Sequence, residues 1–539
     1  MKKAVLIYLE KMLCKAMKKI FLLLVFFSTF MIFSITASAS NFPSNFQELQ
    51  YLNGNQIMPS TGKVRGLVVP VLFENQTQED KNQMLNTLDF FFNGTDYNNL
   101  SVSHFYNISS NEKLELTFEI YNPFQLSRSY LDYERTVLGR GSSLIVQEFL
   151  NNTEVNLAEF DSTDDGFVDA IYIIYNRPFE RDHHFWEAFT TEYVFSQTNH
   201  PTRINNFVFM SYNFFLDYGA SYAIRETGRL LGINAFEHLR GEDVMDGMFG
   251  DHNPLNKLLL GWINPIICYQ SCDRNLRSLQ NGELILVTDR KDFDINYDLF
   301  TEFILIDYFD INAQINRFGR TDVGFQKSGI RLLSVNIMLY GNERNGFHFN
   351  NQLVELISRN FSANLIEFTN NDDLFNIGDL IRPEEYSQLL SSTMLDLGFN
   401  IEIKSYEPNL HFNVLVHFVN ESPYAPRIEG VQDFEVRIND RIDFLAGVKA
   451  FDYHGRPIEE LFLSGTFPIN IPGTYRMGVI AYDEDGNKAV SHFMVTVTTS
   501  ANFRNVYITL VVCLGILATI GLISFVFHRH RREILERSR

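Results

Sequence analysis

The chain has 539 residues, 45% of them hydrophobic and 14% aromatic, and a formal net charge of −20. At roughly 150 residues per domain that length predicts about three folded units, and the apolar content excludes a disordered chain. The acidic body argues against a nucleic acid partner.

Residues 1–39 read as an export signal. They carry lysines, an apolar run over 20–35 and the small triplet Ala37-Ser38-Ala39, which places cleavage after Ala39. A polar lead-in over 40–62 follows. The next unit, 63–270, interleaves strand and helix patterns: "VRGLVVPVLF" is a buried strand, "KNQMLNTLDFFF" a helix, "LELTFEIYNPF" a strand and "VDAIYIIYN" a further buried strand. Helical character is also expected over 130–150 and from residue 221 to 233. Short strands between polar turns, such as "EFILIDYF", "IRLLSVNIML" and "HFNVLVHFV", predict a β-sandwich over 271–424. Regular turn signals over 425–499, with "PGTYRMGVIAYDEDGNKAV", predict a small Ig-like sandwich similar to the modules of bacterial surface proteins.

The apolar run 506–527 is long enough to span a bilayer, and the basic tail 528–539, "HRHRREILERSR" from residue 528, marks the cytoplasmic side. The expectation is a single-pass plasma-membrane protein, with 500–527 as the transmembrane segment and the bulk of the chain outside the cell. Of the four cysteines, Cys14 falls in or before the signal and Cys513 in the apolar run. Cys268 and Cys272 remain, spaced for a disulfide or for a pair of thiols.

The stretch that bears on chemistry is "SYAIRETGRLLGINAFEH", residues 221–238. A zinc-protease helix presents two histidines four residues apart, with a glutamate general base beside the first. Aligned on Glu226, Gly228 and Gly232, the histidine positions are occupied by Arg225 and Arg229. Guanidinium is a permanent cation with no lone pair for a metal.

The order of segments resembles the immune-inhibitor-A type of secreted metallopeptidase across most of residues 64–420. It rests on "RGLVVPVLF", "SVSHFYNISSNEKLEL", "FDSTDDGFVDAIYIIY" and "EDVMDGMFGDHNPLNKLLLGWINP", supported by "EFILIDYFD" and "GIRLLSVN". The resemblance implies an α/β zincin-like, metallopeptidase-like domain with Met245 in its Met-containing turn. It assigns zinc-ligand positions to Arg225, Arg229 and Ala235, none of which can bind the metal, and the vestigial base to Glu226. Zinc is therefore not expected. Without a Lewis acid, a lone carboxylate cannot polarise a peptide carbonyl or lower the pKa of water.

The fold class expected is thus multidomain: an α/β zincin-like domain, a β-sandwich, an Ig-like β-sandwich and a C-terminal transmembrane helix. The expected function is a pseudopeptidase that recognises an extracellular protein, peptide or surface polymer. The arginines then either pair with Glu226, Glu237, Asp243 or Asp246, or bind a ligand's carboxylate. The alternative is an active metallopeptidase with relocated ligands, drawn from His183, His184, Glu187, His238, Asp243 and His252. Separately, Asp161, Thr163, Asp165 and Asp169 alternate around Gly166 as in a calcium loop, without the closing glutamate. Structural calcium and an acidic turn are both open for it.

Overall fold

The computed structural model describes residues 57–95, 100–134, 141–178, 188–192, 201–233, 239–293, 302–320, 323–336, 354–359, 369–382, 396–406, 411–438, 440–465 and 472–498. The expected signal, the apolar run 506–527 and the basic tail lie outside them.

The first sheet grows around β1 (Gly62–Leu72), an apolar strand buried on both faces from Gly66 onward. Helices α1 (Gln78–Asn93) and α2 (Val102–Ser109) follow it, then β2 (Leu114–Ile120) and β3 (Phe124–Gln125). Next come α3 (Tyr130–Glu134), α4 (Gly141–Asn152), β4 (Ile171–Tyr175), β5 (Phe189–Glu192) and β6 (Asn206–Ser211). The strand order is β2-β1-β4-β6-β5, parallel except for the edge strand β5. Alternation along β1 sends Val64, Val68 and Leu72 to one face and Leu67, Val69 and Val71 to the other. The first face packs against Leu88, Phe92 and Phe105 of α1 and α2, and the second against Ile145, Val146 and Phe149 of α4. Capping starts both early helices. Thr77 and Asp80 form a capping box on α1, and Ser101 accepts from His104 N on α2.

After β6 the chain forms α5 (Asn213–Tyr218), α6 (Ser221–Leu230), α7 (Val244–Gly247) and α8 (Pro254–Leu259). Then strands take over: β7 (Ile266–Cys268), β8 (Cys272–Leu276), β9 (Ile285–Val287) and β10 (Glu302–Phe309). The short helix α9 (Gln314–Arg317) precedes β11 (Gly329–Asn336), β12 (Val354–Ile357), β13 (Leu380–Ile381), β14 (Phe399–Tyr406) and β15 (His411–Phe418). These make one sheet of order β12-β11-β10-β9-β7 and another of order β13-β14-β15-β8, sharing a core that includes Ile304, Ile306, Ile401 and Val414. Cys268 and Cys272, on neighbouring strand ends, form a disulfide.

The last strands are β16 (Arg427–Glu429), β17 (Phe434–Arg437), β18 (Lys449–Phe451), β19 (Pro457–Ile458), β20 (Leu461–Ser464), β21 (Gly473–Tyr482) and β22 (Lys488–Thr498). They pair as β16-β18-β19 and β17-β22-β21-β20 around Met477, Val479, Phe493 and Val495.

This architecture corrects the expected class. The described residues are mostly β, with four sheets of four or more strands and one of three, rather than an α/β zincin-like protein with a membrane-crossing helix. The physical reason lies in composition: Phe, Ile, Val and Tyr fill pleated, half-buried surfaces, and the intervening helices stay short. Among the described residues no helix is long and apolar enough to cross a membrane. The longest, α1, has 16 residues and buries only Met84, Leu88 and Phe92, whereas a span needs about 20 apolar residues. The single-pass plasma-membrane placement is withdrawn with the zincin-like class.

Candidate functional site

Helix α6 carries the candidate site. Its apolar side, with Ala223, Ile224 and Leu230, enters the core under the first sheet, while Ser221, Tyr222, Arg225 and Arg229 are partly exposed. Two tyrosines fix it. Tyr106 of α2 donates to the carbonyl of Ile224 at 2.7 Å, and Tyr172 of β4 bonds Thr227 Oγ1 at 2.6 Å. Because Thr227 gives its own proton to the carbonyl of Ala223 at 2.6 Å, Tyr172 must be the donor. Burial holds both phenols well above their ordinary pKa.

Glu226 has no exposed side-chain surface and sits between the two arginines. Its Oε2 accepts from Thr190 Oγ1 of β5 at 2.8 Å and from Arg229 at 3.2 Å. Its Oε1 lies 3.6 Å from the Arg225 guanidinium and has no hydrogen-bond partner. Arg225 instead aims Nε at the carbonyl of Met245, 3.1 Å away. Burial raises the Glu226 carboxyl above its usual range, outweighing Arg229, Thr190 and Arg225, each of which pulls it down.

The methionine turn seats directly on this helix. A Cβ added at Gly228 would stand 2.3 Å from Met245 Sδ, so glycine is required for the close approach. Asp243, expected as a partner of the arginines, faces away from them. It caps α7 by accepting from Met245 N at 2.7 Å and also takes Asn253 N at 3.1 Å, the Asn253 amide and Asn256 Nδ2 at 3.0 Å. Asp246 accepts from Gly241 N at 2.8 Å. Among the described residues the arginines pair with Glu226 alone. Ala235 and Glu237 lie outside the described residues, as do His183, His184, Glu187 and His238.

His252 is fully buried among the rings of Phe105, Tyr106 and Trp262, 3.8 Å from Asp243, and neither ring nitrogen has a hydrogen-bond partner. It is core filling behind α6. Beside it Asp251 takes Ser109 Oγ at 2.5 Å, pairs with Lys257, and accepts its neighbour's N–H at 2.8 Å. Sequence reading missed this polar knot, whose one local signal is Asn253-Pro254, a helix cap followed by proline at the first helical position. It also missed Glu242, which takes both terminal nitrogens of Arg320 at 2.9 and 2.8 Å and Thr369 Oγ1 at 2.7 Å.

In the acidic loop the carboxylates serve the loop's own backbone. Asp161 accepts from Asp165 N at 3.1 Å and Gly166 N at 2.9 Å, Asp165 from Phe167 N at 2.9 Å, and Asp169 from Ser162 N at 2.7 Å and Ser162 Oγ at 2.6 Å. Thr163 reaches Asp161 only at 3.5 Å. Gly166, at φ 86°, permits the turn. Among the described residues no group of three or more His, Cys, Asp or Glu side chains is arranged to hold a metal.

No protein-family model matches the chain, and no curated protein matches it. Solved structures similar to parts of it include the M60 catalytic domain with CBM51-1 and CBM51-2 domains from Clostridium perfringens ZmpB, at 14% identity over 17% of this chain and a TM-score of 0.13. The CBM51-2 and INT domains of the same protein, in complex with GlcNAc, match at 19% identity over 14% of the chain, with a TM-score of 0.13. The lipoprotein BT2262 from Bacteroides thetaiotaomicron matches at 24% over 14%, again with a TM-score of 0.13. The chain spans 11%, 17% and 39% of those three chains. Likeness at this level carries no argument about fold or function.

Proposed function

We propose that this chain is a peptidase-like protein of the immune-inhibitor-A type that no longer cleaves and instead recognises a protein, peptide or polymer ligand. The observation that carries the reading is the cluster Arg225, Glu226 and Arg229. A general base must reach water, and Glu226 is sealed from solvent, with Oε2 held by Thr190 and Arg229 and Oε1 3.6 Å from the Arg225 guanidinium. The guanidiniums stand where the resemblance assigns zinc ligands, so the cluster keeps positive charge at that place without Lewis-acid chemistry.

The chemistry left to the site is recognition. Two cations share one carboxylate, leaving a net positive charge, and Arg229 keeps 34% of its side chain exposed. A ligand's carboxylate, such as a peptide C-terminus, would complete the neutralisation.

The test is elemental analysis of the purified protein beside a casein-cleavage assay with added zinc and with chelator. No stoichiometric zinc and no cleavage, together with saturable binding of carboxylate-bearing peptides that is lost in Arg229→Ala, is the expected result. Chelator-sensitive cleavage would overturn the reading in favour of a peptidase with relocated ligands.

A further inference from the structure

A second place in the molecule is shaped for a ligand of different chemistry. A cavity of about 440 Å³ opens where β14 and β15 meet the β21–β22 hairpin, within the range of about 300–1,000 Å³ that small-ligand sites occupy. Ser271, Arg382, Asn400, His417, Tyr482 and Asn487 line it.

Its walls come from separate sheets and are pinned together. Lys488 pairs with Asp396 at 2.9 Å, and Asn420 exchanges two hydrogen bonds with the backbone of Val490, at 2.8 and 3.0 Å. Arg476 and His492 both hold Asp289, the histidine at 2.7 Å. A cavity held this way exists before any ligand arrives, so little ordering opposes binding.

The lining chemistry narrows the occupant. Arginine only donates, whereas the Asn, Ser, Tyr and His side chains can both donate and accept, which suits hydroxyl groups that also do both. Charge nearly cancels: Lys488 is taken by Asp396, and the lining carries the carboxylate of Glu421 as well as the guanidinium of Arg382. Asn400 lines the cavity with its Oδ1 buried and without a hydrogen-bond partner, so its amide has hydrogen-bonding capacity left at the wall where a ligand hydroxyl would sit. Tyr482, braced edge-on by Phe462 at 6.0 Å, supplies an aromatic surface for the C–H face of a ring.

From this set we propose that the cavity binds a neutral sugar residue of a glycan or polysaccharide. The site is independent of α6 and of the reading given to Glu226.

The experiment is isothermal titration calorimetry of the full chain with cellohexaose, mannohexaose and xylohexaose, with polygalacturonate and an acidic peptide as charged controls. Saturable binding of at least one neutral oligosaccharide is expected. It should weaken about tenfold in Tyr482→Ala and about five- to tenfold in Asn400→Ala, the loss of one hydrogen-bonded contact. His417→Ala alters an exposed side chain and so tests the same wall with little risk to folding. Glu226→Gln should leave the affinity unchanged, which separates this site from the helix site. Failure of all three neutral probes, binding that survives the Tyr482, Asn400 and His417 variants, or binding of the charged probes alone would overturn the assignment.

Discussion

Replacing Glu226 by glutamine tests the electrostatics of α6 directly. The side chain has no exposed surface, and its carboxyl is held above the usual range by burial despite two adjacent guanidiniums. Desolvation therefore exceeds the attraction of the pairs. Glutamine keeps the shape and the acceptor for Thr190 while removing the buried charge, and the arginines, 20% and 34% exposed, stay hydrated at their tips. Exchanging a buried ion pair for a neutral group of like volume is commonly neutral or stabilising by about 1–4 kcal/mol. We expect Glu226→Gln to gain about 1–2 kcal/mol at pH 7 on that basis. The sign reverses the usual carboxylate case. With a raised folded pKa, the native state binds the proton more tightly than the unfolded chain, so the group's contribution is complete at low pH and lost as pH rises through the folded pKa. The advantage of glutamine should accordingly shrink toward about pH 4, the unfolded range. Urea unfolding followed by Trp262 fluorescence, in a Trp186→Phe background, reads the region behind this helix, because Trp262 is buried against Tyr106 and His252. A loss of more than about 1 kcal/mol at pH 7 would refute the argument by showing that the pairs outweigh desolvation.

Further outcomes follow from other buried contacts. Asp289 is lowered to about 2, with burial opposing and His492 and Arg476 responsible for the fall. Its stabilisation is present above the unfolded carboxyl value and lost as pH falls through about 2, so Asp289→Asn should cost about 2 kcal/mol at pH 7 and loosen the β21–β22 junction to limited proteolysis. Gly228→Ala drives a methyl group into Met245 Sδ and should cost about 1–3 kcal/mol in thermal unfolding, partly restored by Met245→Ala. Arg320→Met leaves Glu242 buried without its bidentate partner, with an expected loss of about 3–5 kcal/mol by chemical denaturation. Equal stability of Arg320→Met and the parent would show that Thr369 and the Phe325 N–H suffice to hold that carboxylate.

Much of this was legible in local pattern. Apolar runs placed β1 and β4, and the spacing of Arg225, Glu226 and Arg229 put all three on one helical stretch. Those features depend on residues a few positions apart, which share a helix turn or a strand face. Partner choice does not. Glu226 meets Thr190 across 36 positions, Asp243 turns to Asn253 and Asn256 instead of the arginines, and Asp289 meets Arg476 across 187 positions. The balance of the described residues toward sheets likewise emerged only when pairings such as β8 with β15 joined distant strands. Residue type and periodicity thus determined which segments pleat or coil and which charged side chains the helix carries. Tertiary packing alone decided which buried charges neutralise one another, because that depends on what the fold brings within about 4 Å in a medium that penalises every unpaired charge.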